Sequence, residues 1–375
     1  NMDYFNYATG LTMTNNKFSK LFGKPVRKTE KELLTQFHMD IAASIQSVTE
    51  DIILKICKSL SEEYQIENLC LAGGVALNCV ANGKILQKRI FKNIWIQPAA
   101  GDAGGSLGAA LGYWHHELEN SRIVKSSDSM KGSFLGPKFS NDFVELELKN
   151  LNANFKRLED DKLSKIVAEK IADNKTIGWF QGRMEFGPRA LGGRSILADP
   201  RSEKMQKELN MKIKFRESFR PFAPSVINEE ALKWFEIYSS SPYMLLVAKI
   251  KKHLRISMTP DQEDLFGIKK LNIKRSNIPA VTHVDYSARI QTVHKETNPK
   301  YFKLIEDFSS LTGFPLLVNT SFNIRGEPIV CSIKDAFRCF MGTNLDILVC
   351  ENFILEKKDQ EKKLMKNYQS NFALD

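Results

Sequence analysis

Arg183, Arg189 and Arg194 punctuate a glycine-rich turn, and Lys212, Lys214, Arg216 and Arg220 follow one short helix later. The run from Gln181 to Pro224 that holds them carries ten Lys or Arg against five Asp or Glu. A solvated helix would interleave opposite charges at three- and four-residue spacing. Here several cations adjoin Gly or Pro instead. Rigid guanidinium forks on tight turns suit bidentate capture of phosphate or carboxylate. The run reads as an anion pocket, for a nucleotide or an acyl phosphate.

Two glycine motifs lie upstream. Gly73 and Gly74 end a short strand, and Asn78 stands one turn into the next helix, where its amide can bind a ribose or base edge. A plain strand–helix turn would read the same way. Asp102 sits within Gly101-Asp-Ala-Gly104-Gly105, where a carboxylate can ligate a metal while neighbouring N–H groups face phosphate. An ordinary helix N-cap is the competing reading. His115 and His116 point about 100° apart on a helix and read as surface residues.

The elements that must position these residues alternate as α/β. Thr29-x-x-Glu32 resembles a capping box, and Leu33, Phe37, Ile41, Ile45, Val48, Ile52, Ile56 and Leu60 carry helical spacing after it. Strands at 68–72 and 94–97 each end in a glycine turn that opens a small-residue helix, which places ligands at the strands' carboxyl ends. Residues 118–160 read as charged connecting chain, with the linker proper at 126–160. A second α/β unit begins with a helix at 163–173 and a strand at 176–181. Further strands are expected at 243–250, 280–285, 316–319 and 347–349. Helices are expected at 298–311 and 333–341, the latter capped by Ser332. The polar stretch 251–279 reads as a mobile loop, and the charged tail after Glu356 as fraying chain.

The chain has 375 residues, 42% hydrophobic and 26% charged, with a formal charge of +10. That length accommodates two domains. The six cysteines, 57, 70, 79, 331, 339 and 350, form no CxxC pair and read as buried thiols of a reducing cytoplasm. No long uncharged apolar stretch marks a membrane span. Neither an aromatic stacking pattern nor a basic helix stripe supports a nucleic-acid surface, so a tRNA-binding role is the weaker alternative.

CLAGGVALNCVANGK, WIQPAAGDAGGSLGAAL, GRMEFGPRALGGRSILADPR, KFRESFRPFAPSV and NTSFNIRGEPIV closely resemble the O-carbamoyltransferase family, which includes the nodulation-factor and tobramycin carbamoyltransferases. The resemblance runs from about residue 18 to residue 355, with the five motifs in family order. It implies an actin-like, threonylcarbamoyl-transferase-like domain over residues 1–125, present in part. A YrdC-like α/β domain over 161–358 and a charged tail over 359–375 would follow. It also implies that carbamoyl phosphate and ATP form carbamoyl-adenylate in the YrdC-like domain. The other domain, helped by a divalent metal such as Fe2+ or Mg2+, then delivers carbamoyl to the hydroxyl of a small-molecule or saccharide acceptor.

Within that scheme Lys212 and Arg216 are the first choices for catalytic phosphate contacts, with Arg189 and Arg194 next. Arg183, Asn319, Ser321 and Asn323 are expected to bind ligand, although an Asx/ST turn also explains the NTSFN stretch. His283, Asp285 and Arg289 occupy the nucleotide-side segment that the family writes HVDGTARPQTV; this chain reads HVDYSARIQTV. Asp102 matches a metal ligand. The family's His-x-x-x-His pair has no counterpart among His38, His115, His116, His253, His283 and His294. The chain is therefore expected to be the carboxy-terminal part of a longer protein, completed by an amino-terminal fragment or an oligomer. A sugar-kinase-like phosphotransferase is the alternative enzyme, and it leaves the second domain without a role.

Overall fold

Asn15 opens the first helix, α1 (Asn16–Phe22), by accepting from the N–H groups of Lys17 and Phe18, and Gly23 closes it at φ 75°. The structure, a computed structural model, describes residues 1–28, 32–125, 127–265, 267–364 and 372. The chain divides into two compact units, Asn1–Lys55 and Ile56–Asp375. In the first, an antiparallel bridge joins Phe5 to Thr14, and the Phe5 and Phe18 rings lie 5.9 Å apart. The long helix α2 (Gln36–Tyr64) crosses the border between the units. The capping box expected at Thr29 lies outside the described residues. Five positions of the helix's apolar stripe, Ile45, Val48, Ile52, Ile56 and Leu60, are exposed.

The second unit begins with a parallel pair, β1 (Asn68–Leu71) and β2 (Asn93–Ile96), connected through α3 (Cys79–Lys88) and followed by α4 (Gly104–Gly112). Next come α5 (Asn141–Asn150), β3 (Lys156–Arg157), α6 (Asp160–Ala172), β4 (Ile177–Phe180) and β5 (Arg194–Ala198). Then follow α7 (Met205–Glu208), β6 (Ala223–Ile227), α8 (Ala231–Trp234), β7 (Leu246–Lys249), α9 (Pro260–Glu263) and α10 (Ile268–Leu271). The last elements are β8 (Ser287–Val293), α11 (Pro299–Thr312), β9 (Leu316–Ser321), α12 (Ile333–Gly342), β10 (Ile347–Cys350) and β11 (Phe353–Glu356).

Strands β3 to β11 form one mixed sheet in the order β3-β11-β10-β4-β5-β9-β6-β8-β7. Every residue of β4, β5 and β6 is buried, as expected for strands covered on both faces. One face carries α6 and α11, through Val167, Ile171, Leu304 and Phe308. The other carries α12, through Phe337 and Phe340, within a larger apolar cluster. That larger cluster also takes in Ala76, Ile96 and Ala100 from the β1–β2 region. Helix α3 lies on β7 so closely that a Cβ on Gly83 would stand 2.3 Å from the Val247 carbonyl oxygen.

Several expectations change. The strand expected at 280–285 is a tight turn at Pro279–Val281, and the strand itself runs from Ser287 to Val293. Proline cannot donate to a ladder, and the Asp285 carboxylate accepts from the Ser287 N–H to make an Asx turn instead. Strands β5, β6 and β11 were not anticipated; Pro224 sits inside β6, which masks the strand pattern. The expected linker over 126–160 contains α5, whose Val144 and Leu148 are fully buried in the larger cluster. The expected loop 251–279 contains α9 and α10, with Arg255 bridged to Ser276.

Candidate active site

Lys214 is buried at the end of β9, and four oxygens surround its ammonium. It donates to the Ser321 carbonyl, to the Ser321 hydroxyl at 3.2 Å, and to the Asn323 carbonyl and side-chain oxygen at 2.9 and 2.8 Å. The Ser321 hydroxyl in turn donates to Asn323 Oδ1 at 2.7 Å. Burial, and then the neighbouring Arg216, push Lys214 down to about 7. Helix α7 widens into a π-type turn at Leu209–Ile213, which delivers Lys214 and Arg216 to the sheet edge. Buried Asn210 fixes the chain there: it accepts from Arg216 Nε at 2.7 Å and donates to the Arg220 carbonyl at 2.8 Å.

Lys214, Arg216, Arg220, Ser321 and Asn323 line a cavity of about 270 Å³. Arg216, Arg220 and Ser321 also line a neighbouring cavity of about 420 Å³, together with Arg189, His283, Arg289 and Cys79. Burial and then the repulsion of Arg220 and Arg289 lower Arg216 to about 10. Burial and then Arg189 lower Arg289 to about 10. The Nε atoms of Arg189 and Arg289 are buried without a hydrogen-bond partner. Such a concentration of cations, short of counter-charge, is what an anionic ligand with several phosphates neutralises. Burial lowers His283 to about 4, so it is neutral at physiological pH, with Nδ1 3.1 Å from the Ser287 hydroxyl.

The structure brings Arg189, Arg216, His283, Arg289, Ser321 and Asn323 to these joined cavities and places other expected residues elsewhere. Lys212 is exposed and pairs with Glu208 at 3.0 Å. Arg194 is wholly buried, donates to the carbonyls of Gln181, Gly182, Gly193 and Pro137, and lies 3.5 Å from the Phe180 ring centre. Neither lines the cavities in this structure: Arg194 holds backbone carbonyls and Lys212 faces solvent. Arg183 donates to the Gly136 carbonyl, and exposed Asp285 holds Ser287 and pairs with Lys249. Asn319 is fully buried below the cavity floor. Lys214 and Arg220 line the cavities although neither was singled out from the run. The signal for Lys214 was its apolar flank, Ile213 and Phe215, whereas Lys212 stands four residues after Glu208, the spacing of a solvated helix pair.

The upstream motifs shape turns. Gly73 ends β1 at φ 94°, and Asn78 caps α3 by accepting from the Ala81 N–H at 3.1 Å. Gly104 allows the chain to pass the Ala99 carbonyl, which a Cβ would meet at 2.1 Å, and the Gly105 N–H donates to the Asp102 carbonyl. None of these residues lines the cationic cavities; Cys79, at the start of α3, does. Asp102 is exposed, and among the described residues no group of three or more His, Cys, Asp or Glu is arranged to hold a metal ion. A single carboxylate does not fit a divalent metal. Cys57, Cys339 and Cys350 are buried as expected, Cys79 is partly buried, and Cys70 and Cys331 are exposed; all six are free thiols. Among the described residues no helix is long and apolar enough to cross a membrane.

These features define a mixed α/β protein with a large mixed sheet and two neighbouring cation-lined cavities. Residues 1–111 match the family description "Carbamoyltransferase N-terminus" and residues 168–357 match "Carbamoyltransferase C-terminus". The chain belongs to the carbamoyltransferase family. It is 59% identical over its whole length to an uncharacterised protein of Synechocystis, of which it covers 61%. Nodulation protein NolO of Bradyrhizobium diazoefficiens is 39% identical over 86% of this chain and 56% of its own length. Nodulation protein U of Rhizobium fredii is 34% identical over 77% of this chain and 43% of its own length. The chain thus spans 43% to 61% of the length of these relatives.

Proposed function

We propose that the joined cationic cavities are where carbamoyl phosphate and ATP meet. Carbamoyl phosphate, ATP and one water give carbamoyl-adenylate, phosphate and pyrophosphate; an acceptor hydroxyl then takes the carbamoyl group and releases AMP. We read the nine-stranded sheet as the YrdC-like half of the family and the β1–β2 region as part of the actin-like half. The observation that carries the reading is the gathering of Lys214, Arg216, Arg220, Arg189 and Arg289 around two neighbouring cavities that share Arg216, Arg220 and Ser321, with the Nε atoms of Arg189 and Arg289 buried and unmatched.

Two polyanions repel, so the first requirement for adenylation is a preset positive field. Arg216 and Arg220 face both cavities and are suited to hold the phosphates of the two substrates side by side. Lys214, Ser321 and Asn323 supply an ammonium, a hydroxyl and an amide at one end. Arg189 and Arg289 supply guanidinium groups at the other. The family implies a metal for carbamoyl delivery, and Asp102 alone does not fit one, so no step is assigned to a metal here. The acceptor remains a hydroxyl compound, small molecule or saccharide. Free thiols throughout suit a reducing cytoplasm.

Exchange of labelled pyrophosphate into ATP, dependent on carbamoyl phosphate, tests the reading. The folded chain is expected to support it, and Arg216→Ala to lower it about a hundredfold or more while leaving the fold intact. Folded protein without exchange, or transfer of the γ-phosphate without pyrophosphate release, would sink the proposal.

A further inference from the structure

The chain after Arg189 is pinned through the carbonyls of residues 190–193 and the N–H groups of residues 191–194. Asn319 Nδ2 donates to the Ala190 carbonyl at 3.1 Å, and Gln291 Nε2 to the Leu191 carbonyl at 2.7 Å. Trp179 Nε1 donates to the Gly192 carbonyl at 3.0 Å, and the Gln181 N–H to the Gly193 carbonyl at 2.9 Å. Buried Glu185 accepts from the N–H groups of Leu191, Gly193 and Arg194, and the Ser195 hydroxyl from that of Gly192. Beneath them Ser225, Gln291 and Asn319 bond to one another: Ser225 Oγ donates to Gln291 Oε1 at 2.5 Å, and Asn319 Nδ2 to Gln291 Oε1 at 2.8 Å.

Ser225, Gln291 and Asn319 stand on three adjacent strands, β6, β8 and β9, and are no more than 3% exposed. Ligand does not reach them in this arrangement. Gln291 Nε2 and Asn319 Nδ2 both donate within this network, although Asn319 Oδ1 is buried without a partner. We infer that Ser225, Gln291 and Asn319 are positioning residues: they hold the two carbonyls that follow Arg189, so its guanidinium faces the cavity before the anion arrives. Arg189 keeps its buried Nε unmatched because the chain that carries it cannot relax toward another acceptor. Ordering this arginine in advance removes a cost that would otherwise fall on binding. The inference rests on the reading of the cavity as an anion site.

A double-mutant cycle on the full chain, read by calorimetric titration with pyrophosphate, tests it. Gln291→Met keeps the volume and removes the donor to Leu191. It is expected to weaken pyrophosphate binding about tenfold in the wild-type background and less than about twofold beside Arg189→Ala, because residues acting through one another are not additive. Equal losses in both backgrounds, or none in either, overturn the positioning role. If Gln291→Met does not fold, Ser225→Ala removes only the linking hydroxyl. It enters the same cycle with an expected loss of about threefold that disappears beside Arg189→Ala. Wild-type protein that fails to bind pyrophosphate, or Arg189→Ala that binds it as tightly as wild type, overturns the anion-site reading itself and the inference with it.

Discussion

Lys214 Nζ lies 2.8 Å from Asn323 Oδ1, although 109 residues separate them in the chain. The contact joins the segment that leaves α7 to the end of β9, and it gives the cavity an ammonium that loses its proton near neutrality. A bound anion favours the charged form, so anion affinity is present below the lowered value of about 7 and falls as pH rises through it. Sulfate, whose charge is constant over about pH 6 to 9, is the probe. Its dissociation constant is expected to rise several-fold across that range, and Lys214→Met is expected to flatten the profile. A flat wild-type profile would refute the assignment.

Arg194 and Lys212 separate structure from chemistry. Removing the Arg194 side chain takes the donor from the Gln181 and Gly182 carbonyls, while those of Gly193 and Pro137 keep the Gln181 and Met184 N–H groups, and it empties a fully enclosed site. Arg194→Ala is expected to cost about 3 kcal/mol or more in denaturant unfolding. Lys212→Ala, which loses only an exposed pair, is expected to stay within about 0.5 kcal/mol of wild type and to leave pyrophosphate exchange unchanged.

Gly83 tests the seating of α3. A methyl group there meets the Val247 carbonyl oxygen at 2.3 Å, and Val247 and Cys79 both line the larger cationic cavity. Gly83→Ala is expected to destabilise the chain by about 1–3 kcal/mol and to weaken pyrophosphate binding in parallel. Gly108→Ala in α4, with open space around the new methyl, is the control and is expected to be neutral or slightly stabilising.

Asp102 is expected to hold divalent metal weakly in this chain. Titration with Mg2+ or Fe2+ should give dissociation constants in the millimolar range or above, and Asp102→Asn should leave carbamoyl-phosphate-dependent exchange untouched. Tight binding would mean that the chain recruits further ligands.

The cation run suggested an anion site, yet two of its three guanidinium groups on the glycine turn, Arg183 and Arg194, hold backbone carbonyls instead. Composition alone could not rank those cations. Lys212 and Lys214 differ by two positions, yet one meets water and the other lies beneath the sheet edge. Only the π-type turn at Leu209–Ile213 decides which is which. Asn319 was read as a ligand contact because it ends an apolar strand, but its register between Leu197 of β5 and Ala223 of β6 buries it at the sheet centre. Helix α12 was legible with its Ser332 cap, and α11 was legible to within a residue at each end, although Asn298, expected inside it, is its cap. Strand β6 was not, because its proline argues against a strand except where sheet pairing overrides that preference.

The common cluster that joins Ala76, Ile96 and Ala100 to Phe180 and Ile196 bears on how such chains can be recombined. The two matched segments end at residue 111 and begin at residue 168, which invites exchange of parts between relatives at that join. The packing does not divide there. Gly83 abuts Val247, Gly187 abuts the Pro98 carbonyl, and Val144 and Leu148 fill the cluster from the intervening stretch. A chimera spliced between residues 111 and 168 would pair surfaces shaped for other partners. The workable unit of exchange therefore spans that join, and changes on one side of it call for matching changes on the other.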